Sequence, residues 1–357
     1  MVDGRMVRWL MIGTILLLAG RDAGAKSMEW VKVGKDGRSF VLGSGKAFAP
    51  RGLNYDRDAD GRLIEDYWEA EWPKVEQDFA EMKKMGANVV RVHLQFGRFM
   101  DSPDKPNQKA LDRLERLVRL AEGQGLYLDL TGLACYRKEH IPDWYDRLSE
   151  KERWHAQAAF WEAIAARCAN RPGVFCYDLM NEPVVPTGQT KEWLGPPFAH
   201  VYYYVQYISL DQQDRERPQI AGDWLRAMTA AIRKHDQRHL ITVGMLPTSG
   251  SGFVPKEVAH EVDFISVHIY PESAKIQESL DTVKEFSVGK PLVIEELFPM
   301  KCTVPELREF LKDAEKQSAG WMGFYWGKTV EECLKSDSIG DAIMLGWLEL
   351  FREMADD

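Results

Sequence analysis

The sequence predicts one (β/α)8 barrel preceded by a short β-hairpin, with a long loop after strand four. Three observations carry this. After Arg51, apolar runs of strand length alternate with amphipathic runs of helix length eight times, and such alternation means a parallel sheet. No Gly-rich phosphate-binding turn follows any strand, which disfavours an open doubly wound sheet. Polar residues gather at the C-terminal ends of the strands, the end at which a closed barrel builds its site.

Each element has a local reason. Residues 30–41 alternate around Lys35-Asp36-Gly37, a hairpin turn, and a second turn at Gly43-Ser44-Gly45-Lys46 leads to Phe48. The first barrel strand is 51–55. A helix over 72–85 puts Val75, Phe79, Met82 and Met85 on one face, and Gly86 caps it. The second strand is 88–94. A helix over 111–122 precedes strand 126–130, a helix over 151–169 precedes strand 174–179, and a helix over 223–234 precedes strand 240–243. The next unit is degraded, with at best a helix over 256–262. Strand 264–269 leads to helix 273–286, strand 292–294 to helix 305–317, and strand 321–326 to helix 341–353. The long insertion, 184–221, carries Trp193, Phe198, Tyr202, Tyr203, Tyr204 and Tyr207. It is either a ligand-facing aromatic wall or a self-packed loop.

The bulk numbers set bounds. The 357 residues are 45% hydrophobic and 28% charged, as in a soluble globular protein. A net charge of -9 argues against nucleic acid, which needs a basic surface. Arg5 and Arg8 precede an apolar run over 9–20, and Ala23-Gly24-Ala25 offers a cleavage site, so 1–25 reads as an export signal. That run is shorter than the roughly 20 residues of a membrane span. The expectation is an exported chain, periplasmic or extracellular, with 26–357 as one catalytic domain and no membrane contact after cleavage. The alternative is an anchor formed by an uncleaved signal. None of Cys135, Cys168, Cys176, Cys302 and Cys333 has zinc-finger spacing, and their pairing is open. No metal or cofactor is expected, and the chain is expected to act as a monomer.

Two runs end abruptly in carboxylate: Tyr177-Asp178-Leu179-Met180-Asn181-Glu182-Pro183 and Pro291-Leu292-Val293-Ile294-Glu295-Glu296-Leu297-Phe298. A buried strand has no structural use for an ionised Glu at its end, because desolvating an unpaired charge is costly. Two such ends point to two carboxylates facing each other across a pocket, which is the equipment of a glycosidase. Around them the strand ends supply Asn54, Arg91, His93, Asn181, His268, Tyr270 and Trp326.

In these residues the chain resembles the clan A glycoside hydrolases, and most closely glycoside hydrolase family 5. The run from Gly45 to Asn54 is similar to that family's first-strand entry. Arg91 matches its strand-two arginine, Asn181-Glu182-Pro183 its asparagine and acid/base, His268 and Tyr270 its strand-six pair, Glu296 its nucleophile and Trp326 its strand-eight tryptophan. The resemblance implies that Glu182 is the acid/base and Glu296 the nucleophile. It further implies that Arg91 and Tyr270 keep Glu296 ionised, and that Asn181 holds the sugar 2-hydroxyl. His268 orients Glu182, and Trp326 floors the sugar beside the cut. Two departures stand out. Strand three reads Leu128-Asp129-Leu130-Thr131-Gly132 where the family has a histidine, a place His93 could partly fill. Leu297-Phe298 follow Glu296 where the family has an aromatic and Gly. Strand alternation lets only one of Glu295 and Glu296 face the barrel interior, and the resemblance favours Glu296.

The implied activity is retaining hydrolysis of a β-linked polysaccharide or oligosaccharide, of the endo-β-1,4-mannanase or endo-β-1,4-glucanase (cellulase) type. The runs 291–296 and 239–244 resemble the family's mannanases slightly more. Alternatives are an exo-acting glycosidase or transglycosylase, and a non-catalytic carbohydrate-binding barrel. A metal-dependent hydrolase is disfavoured because no His pair has ligand spacing.

Overall fold

The computed structural model describes residues 28–356, so the expected export signal at 1–25 lies outside the described residues. Strand β1 (Arg51–Tyr55) is followed by helix α1 (Trp72–Lys84). Then come β2 (Val89–Gln95), α2 (Gln108–Gln124), β3 (Tyr127–Ala134), α3 (Glu150–Cys168) and β4 (Val174–Asn181). The second half runs α4 (Arg217–Arg233), β5 (Leu240–Met245), α5 (Pro255–Val258), β6 (Ile265–His268) and α6 (Ile276–Phe286). It ends with β7 (Leu292–Leu297), α7 (Val304–Ala314), β8 (Gly320–Gly323) and α8 (Ile339–Asp356). All eight strands pair in parallel and β8 closes on β1. Strands β2 to β8 are buried along their whole length, as parallel strands covered by helices must be.

The helix ends follow local chemistry. Asn107 caps α2 by accepting from the Ala110 N–H, and Ser149 and Glu152 form a capping box on α3, as Thr303 and Glu306 do on α7. The degraded unit is a single turn at α5. The expected hairpin is present, Val31–Val33 against Phe40–Leu42, with Ala47–Phe48 as a third strand. Val31, Phe40 and Phe48 pack on Val89, Tyr127, Phe175 and Phe264, residues at the strand starts. This sheet therefore plugs the N-terminal end of the barrel, and the C-terminal mouth is left for chemistry.

The insertion is shorter than expected, because α4 starts at Arg217. It does both of the things its composition allowed. Trp193, Leu194 and Tyr202 are buried, with Arg153 beneath the Trp193 ring, while Pro196, Phe198 and Tyr204 face the mouth. All five cysteines are free thiols, four of them buried. Among the described residues no helix is long and apolar enough to cross a membrane.

Candidate active site

A cavity of about 430 Å³ opens at the barrel mouth, lined by Glu182, Glu296, Tyr270 and Phe324 from the strand ends and by Phe198 and Tyr204 from the insertion. Glu182 follows the last residue of β4. Its backbone is left-handed, φ 47°, which is rare for a side chain of this size. The Glu182 N–H donates to the Gly244 carbonyl of β5 at 2.8 Å, and this bond helps to hold the turn that aims the carboxylate into the mouth.

Glu296 stands opposite. An oxygen of each carboxylate and a ring nitrogen of His268 lie within 4.8 Å of one another. The two carboxylates are served differently. Glu296 accepts from the Arg91 guanidinium at 2.6 Å on one oxygen and from the Tyr270 hydroxyl at 2.6 Å on the other. Burial, then the Glu296 charge, push the Tyr270 phenol well above its usual range, so it stays a donor. Both Glu296 oxygens are thus held by donors, one of them a full positive charge. Among the described residues the Glu182 carboxylate has one hydrogen-bond partner, His268 Nδ1 at 2.9 Å.

His268 sits between the two, 3.6 Å from Glu296 as well. Burial alone would strip its proton, but the Glu296 charge, the bond to Glu182 and the nearby Glu295 carboxylate outweigh it and push the imidazole up to about 10. His268 is therefore an imidazolium at neutral pH. Its proton is bound more tightly in the folded chain than in the unfolded one. The stability it contributes is fully present below the ordinary histidine value of 6.5 and is lost as pH rises through about 10. Thermal melts of the wild type should fall over that window by more than melts of His268→Gln. A gap between the two that stays constant across the window would contradict the assignment.

Arg91 is wholly buried and organises the floor. Besides Glu296 it donates to Asp178 at 2.7 Å, Asn54 at 2.8 Å and Asn181 at 3.1 Å. Asn181 spends its amide on scaffolding, with its N–H donating to the Tyr204 carbonyl at 3.1 Å. Asn54 and His93 lie deeper. Asn54 ties β1 to the Glu295 and Gly323 carbonyls, and His93 bridges Asn54 at 3.0 Å and the Tyr136 hydroxyl at 2.5 Å. Burial, then the Arg91 charge, hold His93 well below its usual range, hence neutral. His93 and Tyr136 thus form a buried hydrogen-bonded pair beside Asn54. Gly244 makes the layer possible, since a Cβ there would meet His268 at 2.9 Å and Arg91 at 3.0 Å.

Two expectations need correction. Glu295 and Glu296 both reach the barrel interior, because the pairing register of β7 shifts between Ile294 and Leu297 and breaks the regular alternation. Glu296 lines the cavity and Glu295 is sealed one layer below. Trp326 does not floor the cavity. It is 2% exposed, and its indole N–H donates to Asp78 of α1 at 3.1 Å. β8 ends at Gly323, earlier than expected, and Phe324, just beyond it, lines the mouth. Phe324→Ala should lower kcat/KM about tenfold, the worth of a lost aromatic contact. Trp326→Phe should lower the melting temperature with little kinetic effect. Steady-state kinetics beside thermal melts separate the two.

The sequence reasoning passed over Asp129, Asp178, Tyr136 and Phe324. Asp129 and Asp178 carried a usable signal, a carboxylate inside an apolar strand.

Residues 42–328 match Cellulase (glycosyl hydrolase family 5). Mannan endo-1,4-beta-mannosidase A of Emericella nidulans is 23% identical over 233 residues, 57% of this chain and 53% of its own length. The enzyme of the same name from Podospora anserina is 23% identical over 286 residues, 64% of this chain and 68% of its own. The chain thus spans about half the length of the first of these relatives. Its fold is similar to an exo-beta-1,4-mannosidase from Opitutaceae bacterium strain TAV5, with TM-score 0.70 and 19% identity over 91% of this chain and 62% of that one. The match to the endo-1,4-beta-mannanase from Rhizomucor miehei has TM-score 0.63 and 18% identity over 92% and 100% of the two chains. The family match covers most of the barrel and both cavity carboxylates, and on it the chain belongs to the glycoside hydrolases of family 5.

Proposed function

We propose that this protein is an exported, retaining hydrolase of β-1,4-linked mannan or manno-oligosaccharides. The observation that carries the mechanism is the separation of Glu182 and Glu296, within 4.8 Å. Retaining enzymes hold their two carboxyl groups about 5–5.5 Å apart, whereas inverting ones leave about 6.5–9.5 Å for a water. The unequal hydrogen bonding supports the roles. Glu296, ionised between Arg91 and Tyr270, attacks the anomeric carbon as Glu182 gives its proton to the departing glycosidic oxygen. The C–O bond to the leaving sugar breaks and an ester to Glu296 forms. Glu182 then takes a proton from water, whose oxygen attacks the same carbon and frees Glu296. Mannan is supported by the names of the two fungal relatives, and export by the composition of residues 1–25.

An exo mode is the second reading, and the insertion favours it. Tyr202 donates to the Gly61 carbonyl at 2.7 Å and Tyr204 to Asp56 at 3.0 Å, while Arg57 donates to Tyr204 and lies over the Tyr325 ring. These contacts strap the insertion to the loop after β1 and wall one side of the cavity.

Product analysis on mannan, glucan and xylan tests both readings. Turnover of mannan with a ladder of oligosaccharides is the endo result, and release of single sugars from the first minutes is the exo result. Turnover of glucan or xylan with none of mannan would overturn the substrate.

A further inference from the structure

Below the cavity floor lie three more carboxyl groups that the steps above do not use. Asp129 of β3, Asp178 of β4 and Glu295 of β7 are each 0% exposed, with oxygens within 4.8 Å of one another. Arg91 and neutral His93 face this layer from β2, the Cys176 thiol from β4, and Ser266 and His268 from β6, while Glu182, Glu296 and Tyr270 lie above it.

The three are served very unequally. Asp178 accepts from Arg91 at 2.7 Å, Thr131 at 2.8 Å and the Gly244 N–H at 2.7 Å. One Glu295 oxygen accepts from the Ser266 hydroxyl and stands 3.6 Å from both Arg91 and His268 Nε2. Among the described residues its other oxygen has no donor, and neither oxygen of Asp129 has one. The buried Nε2 of His268, aimed at Glu295, also lacks a hydrogen-bond partner among the described residues. An ionised carboxylate without a donor in a dry interior is costly, and protonation removes the cost. A protonated carboxyl is itself a donor, and the free oxygen within reach is that of Glu295.

We propose that Asp129 is a neutral carboxylic acid hydrogen-bonded to the Glu295 carboxylate, and that this pair is a positioning device that fixes His268, and with it Glu182, from below. Burial, then the charges of Glu295 and Asp178, push Asp129 well above the usual carboxylate range. Burial would raise Glu295 too, but Arg91 first, then His268 and Asp129, hold it down at about 2. Glu295 thus keeps a single negative charge on the Nε2 side of the imidazolium, so that Nδ1–H points at Glu182. Asp129 and Glu295 touch no substrate and act through His268.

The inference rests on Glu182 and Glu296 as the reacting groups, but its first test does not depend on turnover. An infrared spectrum of wild-type protein with isotope-labelled aspartate should show a protonated carboxyl band at neutral pH, and its absence would overturn the proposal. The kinetic test uses whichever polysaccharide the enzyme hydrolyses. Asp129→Leu should lower kcat about tenfold, the worth of one donor to a charged group, and Asp129→Asn, which keeps a neutral donor, should recover most of that. Glu295→Gln should move the basic limb of the kcat–pH profile about one unit lower, because His268 loses a neighbouring anion. An Asn variant as impaired as Leu, or a basic limb unmoved by Glu295→Gln, would overturn it.

Discussion

Glu296→Ala should cut mannan turnover by about five orders of magnitude, the scale expected when a covalent nucleophile is removed. The loss should lie in kcat rather than KM, because the Glu296 contribution is made as the bond to the anomeric carbon forms. A small anion such as azide fits the vacated space, and Arg91 and Tyr270 remain to receive it. With an aryl mannoside, azide should restore measurable rate and give a product of inverted configuration. Glu182→Ala should behave differently. It should lose about 10²–10⁴-fold on mannan, where the leaving oxygen needs a proton, and far less on an aryl mannoside with a good leaving group. Equal losses on both substrates would remove Glu182 from the acid role.

Arg91→Met should cost about 3–5 kcal/mol of stability, because it leaves buried carboxylates without their cation. Arg91 reaches Asn54 on β1, Asp178 and Asn181 on β4, and Glu296 on β7. Arg91→Lys should recover only part of the loss, since an ammonium cannot fork between Glu296 and Asp178. Urea unfolding of the three proteins gives the measurement. A cost for Met below about 1 kcal/mol, the range of an exposed pair, would mean that the layer is not held by this charge. Activity should fall in both variants, because Glu296 loses a donor that holds its charge.

The barrel was legible because its signal is redundant. The alternation repeats around the chain, and the N-terminal sheet announces itself with a Lys35-Asp36-Gly37 turn. Strand ends were less legible, because an apolar run stops before a barrel strand does. β3 continues through Thr131 and Gly132 to Ala134, and Thr131 is a polar side chain that the interior uses to donate to Asp178. Glu182 stood out as a charge at the end of a buried run. Asp129 and Asp178 carry the same signal in mid-strand, but a search confined to strand ends sees one layer of a barrel that stacks several. That Glu295 faces the interior together with Glu296 follows from a register shift in β7, which depends on how Ile294 and Leu297 meet β8 and has no mark in the local sequence. Trp326 was misplaced for a similar reason. Its position is decided by the carboxylate of Asp78, far away in sequence on α1.

The stereochemistry of the first product tests the Glu182–Glu296 pair most directly. Proton NMR of a β-linked manno-oligosaccharide in the first minutes of hydrolysis, before mutarotation, should show the new reducing end as the β-anomer. The α-anomer appearing first would mean that water attacks directly and that Glu296 forms no bond to the sugar.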